Sequence, residues 1–153
     1  MHSTEQLVSI ALGKSIELVP VNILAIIHGM GIEVYYCPFS DDVNGFYTNI
    51  NGMPTIAINS HHGLKRQRFT AAHELYHHIA EGENLKLAAS ITSMAREKKA
   101  DRFAAAVLMP SASFKDLFNR GMSLIGLANA FKVSQQAAEI RAIELGLMAR
   151  MIA

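Results

Sequence analysis

Phe69-Thr70-Ala71-Ala72-His73-Glu74-Leu75-Tyr76-His77-His78-Ile79-Ala80 is the stretch on which the reading of this chain turns. It contains His73-Glu74-x-x-His77. On an α-helix, residues four apart lie about 40° apart around the axis and one turn up, so both imidazoles leave one face and can meet a single cation. Glu74 points about 100° away from His73. It is close enough to hold a water as general base without being a ligand itself. The flanking Arg68, Phe69, Ala71, Ala72, Leu75, Tyr76 and Ile79 include no Pro or Gly, which predicts a helix, and Gly82 marks its expected stop. The competing reading is an ordinary amphipathic helix with surface or core histidines. The helical context and a third candidate ligand downstream weigh against it.

A chain of 153 residues is most simply one domain, long enough to bury a core. Half its residues are apolar and 18% are charged, a globular composition rather than a disordered one. No apolar run approaches the about 20 residues that span a bilayer, and the N-terminus lacks the basic-then-apolar order of a signal peptide. The single cysteine, Cys37, excludes an intramolecular disulfide, so the chain reads as cytoplasmic. Cys37 is expected to be a buried structural thiol, with a thiolate capping a metal as the rarer alternative. A net charge of +1 gives no general attraction to nucleic acid, and no repeat or low-complexity segment is visible.

Ser3-Thr4-Glu5-Gln6 has the form of a capping box opening a first helix to about Leu12. A second helix is expected after Pro20, with Ile23, Leu24, Ile26 and Ile27 inward and Gly29 or Gly31 at its end. The period then changes to two. Ile32–Tyr36, Gly45–Ile50 and Thr55–Asn59 read as strands, the last two joined at Asn51-Gly52 by a turn that Pro54 should lengthen beyond two residues. The strand Thr55–Asn59 is a candidate edge, to which an extended peptide could add. A loop of His61, His62 and Gly63 leads into the His73 helix. A long helix, Ser93–Met109, capped by Ser93 and stopped by Pro110, should bury Met94, Phe103, Ala104, Val107 and Leu108. Short helices follow at about Ser111–Asn119, Ser123–Phe131 and Ser134–Leu145. Helices, a small antiparallel sheet, then helices make an α+β fold.

A hydrolytic zinc site takes three protein ligands and keeps one position open. Glu97, twenty residues after His77 and on the next long helix, is the candidate third, with Glu81, Glu83 and Asp101 next in line. A helix hairpin would bring its carboxylate opposite the imidazoles. Ala100 keeps the approach uncrowded, and Asp101 could hydrogen-bond a ligand imidazole. The alternative is a solvated charge among Arg96, Lys98 and Lys99.

Arg68-Phe69-Thr70-x-Ala72-His73-Glu74-Leu75-x-His77, preceded by Ile58-Asn59 and followed by Glu97-x-x-Ala100-Asp101-x-Phe103-Ala104-Ala105-x-x-Leu108-Met109-Pro110, resembles the ImmA/IrrE family of metallopeptidases. The match spans about Gly45 to Pro110. The resemblance implies a bacterial or mobile-element endopeptidase, gluzincin-like, with one zinc per chain on His73, His77 and Glu97 and Glu74 activating water. It implies a protein substrate, a helix-turn-helix repressor whose cleavage releases stress-response or mobile-element genes. It also implies a core over residues 1–110 carrying the active-site helix, and a helical extension over 111–153 packed on it as one compact unit. Two positions depart from the commonest pattern: Tyr76 stands where many members have Gly, and Lys99 where many have an acidic residue.

An oxyanion donor is needed as well, and Tyr47, His61 and His62 are the candidates from loops beside the sheet. His78 points off the ligand face. The rival function lies in the C-terminal segment. Leu124-x-x-Leu127-Ala128-x-x-Phe131-x-Val133-Ser134 with Ala137, Ala138, Ile140, Arg141 and Leu145 has a helix-turn-helix cadence. A DNA reader would present Ser134, Gln135, Gln136 and Arg141 to a groove, and the metal site would then be weakly catalytic or regulatory. Glu139 and Glu144 on the same helix argue against direct DNA binding, and a packing or substrate-docking role is expected instead.

Overall fold

The computed structural model describes residues 3–13, 19–83 and 93–149. Helix α1 (Thr4–Leu12) starts at the expected capping box: the Ser3 hydroxyl accepts the Gln6 N–H at 3.2 Å, and Gln6 Oε1 accepts the Ser3 N–H at 2.7 Å. Helix α2 (Ile23–Gly29), capped by Asn22 on the Ala25 N–H, buries Ile23 and Ile27. Strands β1 (Glu33–Cys37), β2 (Gly45–Ile50) and β3 (Met53–Asn59) form one sheet in the order β1-β3-β2. Helices α3 (Leu64–Glu83), α4 (Ser93–Leu108), α5 (Ser111–Asn119), α6 (Leu124–Phe131) and α7 (Gln135–Glu144) complete an α+β fold. No described helix is long and apolar enough to cross a membrane.

The sheet is mixed rather than antiparallel. β2 pairs antiparallel with β3, while β1 lies parallel to β3 on its other side. β3 is thus the central strand and not an edge. The cause is burial: Thr55 through Asn59 are all buried, whereas β1 and β2 are largely open, so the most enclosed strand takes two neighbours. The turn is also tighter than expected. Ile50 pairs with Met53, leaving only Asn51 and Gly52, both at positive φ, as in a type I′ hairpin. Pro54 pairs with Asn49 at a position beyond the end of β1, so its missing N–H removes no bond on that side.

One helix boundary and one face also differ from the sequence reading. α3 begins at Leu64, directly after the expected loop, but runs through Gly82. Met94 is 71% exposed rather than inward. It stands nine residues before Phe103, about 180° around the axis from the buried face. The expected cap at Ser93 and the side chains of Glu81 and Glu83 lie outside the described residues.

α3 and α4 pack antiparallel: His77 meets Glu97, and His73 meets Asp101 one turn along each helix. Ala72, Ala100 and Ala104, all fully buried, leave the two backbones free to approach. One apolar cluster joins this pair to Ile56 and Ile58 of the sheet and to Phe114, Leu127 and Phe131 of the later helices. Arginines fasten the end of the chain to it. Arg68 on α3 donates to the carbonyls of Phe131 and Lys132, each at 3.3 Å, at the C-terminal end of α6. Arg141, expected to face solvent, has a side chain only 11% exposed and donates to the Met109 carbonyl at 3.0 Å. Burial pulls its guanidinium pKa down, and Glu144 at 3.8 Å partly offsets this.

Arg141→Ala would strand the Met109 carbonyl and should cost about 1–3 kcal/mol of stability. Gln135→Ala, on the exposed side of α7, should stay within about 0.5 kcal/mol of the native protein. Chemical unfolding of the two variants checks the contrast.

Candidate metal centre

Each helix turn of α3 contributes one layer to the site. His73 and His77 project toward α4, where Glu97 spans both: Glu97 Oε2 lies 2.6 Å from His73 Nε2, and Oε1 lies 3.2 Å from His77 Nε2. One donor atom from each residue falls within 4.8 Å of the others. On the far side of His73, Asp101 Oδ1 is 2.8 Å from Nδ1. That contact orients the ring and directs Nε2 at Glu97. Arg96 Nε lies 3.4 Å from His77 Nδ1. The sequence-derived set of His73, His77, Glu97 and Asp101 is therefore brought together in one place. Two imidazole nitrogens and a carboxylate oxygen on one side make a donor set that suits a borderline cation such as zinc, with room for a fourth position.

Glu74 stands beside this group, 8% exposed. Burial is the main force on its carboxyl group, pushing its pKa up to about 7; the His73 charge and the Tyr47 backbone N–H pull the other way. The Tyr47 amide belongs to β2, so the edge of the sheet fixes where the carboxylate can point. Burial likewise pulls the His77 pKa down, with Glu97 opposing. The imidazole is thereby kept neutral and free to ligate.

α3 can come this close to β2 because residue 45 has no side chain. A Cβ at Gly45 would sit 2.2 Å from the Ala57 carbonyl oxygen and 2.8 Å from Thr70 Cγ2. From the metal group a cleft of about 1070 Å³ extends along α3. The β1–β2 loop (Asp42, Val43, Asn44) forms one wall, Asp101, Arg102 and Ala105 of α4 form another, and Val133 and the α7 residues Gln136, Ala137 and Ile140 close the end. Sequence reasoning missed this last wall. The i, i+4 spacing of Arg66, Thr70 and Glu74 marks the α3 side of the cleft, but no comparable spacing marks the α7 wall.

None of the three side chains weighed as oxyanion donors lines the cleft. Tyr47 sends its hydroxyl to His78 Nδ1 at 2.9 Å, and its contribution to the site is its main-chain N–H. His62 is buried within the β1–β2 loop, with Nε2 2.9 Å from the Asp41 carbonyl oxygen. His61 is exposed and uses its backbone N–H on Asn59 Oδ1. Asn59, unremarked in the sequence except as part of a pattern, organises that loop. Its amide donates to the carbonyls of Ser40 (2.9 Å) and Val43 (2.8 Å), and it is fully buried. Cys37 is half-buried on the outer strand β1, which β3 separates from β2.

The Glu74 environment has a measurable consequence in metal-free protein. Its folded pKa lies above the unfolded value, so the folded state holds the proton more tightly. Stability from this group is present at low pH and declines as pH rises through about 7. Gln cannot ionise. Glu74→Gln should therefore stabilise the metal-free protein at pH 8 by on the order of 1–3 kcal/mol, and the gap should close at pH 5. Thermal unfolding in chelator at the two pH values reads this directly.

No curated protein sequence matches this chain. The family model described as Peptidase_M78, IrrE N-terminal-like domain, matches residues 28–142, from the end of α2 to within α7. That span takes in the sheet, the His73–Glu97 cluster and the helices that close the cleft. The chain belongs to the Peptidase_M78 (ImmA/IrrE) family of metallopeptidases.

Proposed function

We propose that this protein is a zinc-dependent endopeptidase, with one zinc held by His73, His77 and Glu97 and with Glu74 as general base. The observation that carries the reading is the convergence of those three donor groups beside a buried carboxylate whose pKa stands near 7. The bound zinc supplies Lewis acidity, polarising the scissile carbonyl and acidifying water. Glu74 takes the proton of the attacking water as its oxygen bonds to the carbonyl carbon, and hands a proton to the departing amine as the C–N bond breaks. The Tyr47 N–H holds Glu74 in line, and Asp101 orients the His73 ring.

The substrate in this reading is a protein, a helix-turn-helix repressor, and the setting is the cytoplasm of a bacterium or of a cell carrying a mobile element. The rival reading, DNA binding by α6 and α7, gains nothing from their surroundings. The guanidinium that would read a groove is spent on the Met109 carbonyl, and α7 turns Gln136, Ala137 and Ile140 into the cleft. Residues 111–153 are better read as part of the same working unit than as a separate module.

Replacing His73, His77 or Glu97 by Ala should each lower zinc retained after dialysis well below one per chain, because three ligands leave no redundancy. Full occupancy in Glu97→Ala would move the third ligand elsewhere. Glu74→Gln should keep its zinc and fold yet cut the repressor at least about 10²-fold more slowly. Co-expression with a candidate helix-turn-helix repressor, followed by mass spectrometry of the fragments, is the assay. Normal cleavage by purified Glu74→Gln would sink the mechanism.

A further inference from the structure

The cleft beyond the metal group has its own chemistry, and resting on the peptidase reading above, we propose that it selects an extended peptide segment bearing an aliphatic or aromatic side chain within two residues of the cut bond and an acidic residue one or two positions further on. One α-helical turn from His73, about 6 Å along α3, the cleft becomes apolar. Phe69 faces Ala105 of α4 there, with Val133, Ala137 and Ile140 opposite. Ile140 is 47% exposed, a large aliphatic side chain left open at the mouth of a concave site. A branched or aromatic substrate side chain would cover it and remove that surface from water.

Further along the same stripe, about 10 Å from His73, the lining turns basic. Lys65 and Arg66 of α3 reach it. Lys65 donates to Asn129 Oδ1, and Arg66 donates to Asn44 Oδ1 and the Asp41 carbonyl, all neutral oxygens. Among the described residues neither of these two cations is paired with a carboxylate. Of the acids in the lining, Glu144 lies against Arg141, Asp42 accepts the Ser40 hydroxyl, and Glu74, Glu97 and Asp101 stand at the metal end. Two cations without a carboxylate partner at one end of a cleft favour a carboxylate in the ligand. An extended chain advances about 3.3 Å per residue, so the apolar and basic zones stand about two and three residues from the bond beside His73. The two zones therefore read consecutive parts of one strand of substrate.

A peptide array probed with zinc-loaded Glu74→Gln protein reads binding without turnover, and wild-type protein on the same peptides reads cleavage. Bound peptides should carry Leu, Ile, Met or Phe followed by Asp or Glu one or two positions on, and Lys in place of the acid should weaken binding about tenfold. Changing Lys65 and Arg66 together to Glu should reverse that order. Ile140→Asp should erase the aliphatic preference and keep the acidic one. Melting temperatures near that of the parent separate these effects from unfolding. Peptides bound with this preference but left uncut by wild-type protein would sink the peptidase reading and leave the cleft assignment standing. Cleavage without the preference, binding indifferent to the charge reversal, or no binding at all would overturn the cleft assignment.

Discussion

The close antiparallel contact of α3 with α4 is the constraint on which the site rests. His73 and His77 lie on one face of one helix by virtue of spacing alone, but a third donor comes from residues remote in sequence. Ala72, Ala100 and Ala104 are buried where the helices meet, and Phe103 and Leu75 fill the flanks. A larger residue at any of the alanines would push the axes apart, and Glu97 would leave both imidazoles together. The donor geometry is therefore a property of packing, with the ligands placed by residues that never touch the cation.

Polar enclosure works against this packing and also gives it its use. Glu74 and His77 are buried among apolar neighbours, which disfavours their charged forms. An ordinary core would not keep such groups. Here the Tyr47 amide for Glu74, and Glu97 and Arg96 for His77, supply directed partners, so that the groups are oriented while their proton affinities stay shifted. Sheet and helix are joined at this point through Gly45, whose bare backbone lets α3 approach β2.

Local signals carried much of this into the sequence. The Ser3 capping box, the strand Gly45–Ile50, the helix Ser111–Asn119 and the placing of His73 and His77 on one helix face all follow from short-range spacing. The differences arise where distance in the chain decides. β3 becomes central because β1 returns to its far side, which no pattern within Thr55–Asn59 encodes. Arg141 is polar and sits beside polar neighbours, so nothing local shows that the Met109 carbonyl is waiting for it. Tyr47 drew notice for its hydroxyl, while its role at the site falls to a main-chain N–H that every residue except proline carries. The α7 wall was hidden for the same reason, since its cleft-facing residues are chemically ordinary.

Because α7 comes after the ligands in the chain, a nascent polypeptide acquires the metal-binding pair of helices before it acquires the end wall. Domains emerge from the ribosome N-terminal part first. While residues 133–144 are still to come, Phe69 and Ala105 have no opposing surface, and the cleft is an open shelf beside the His73–Glu97 group. A chain still lacking α7 would thus have its candidate donor groups without the wall that closes the cleft over an extended segment.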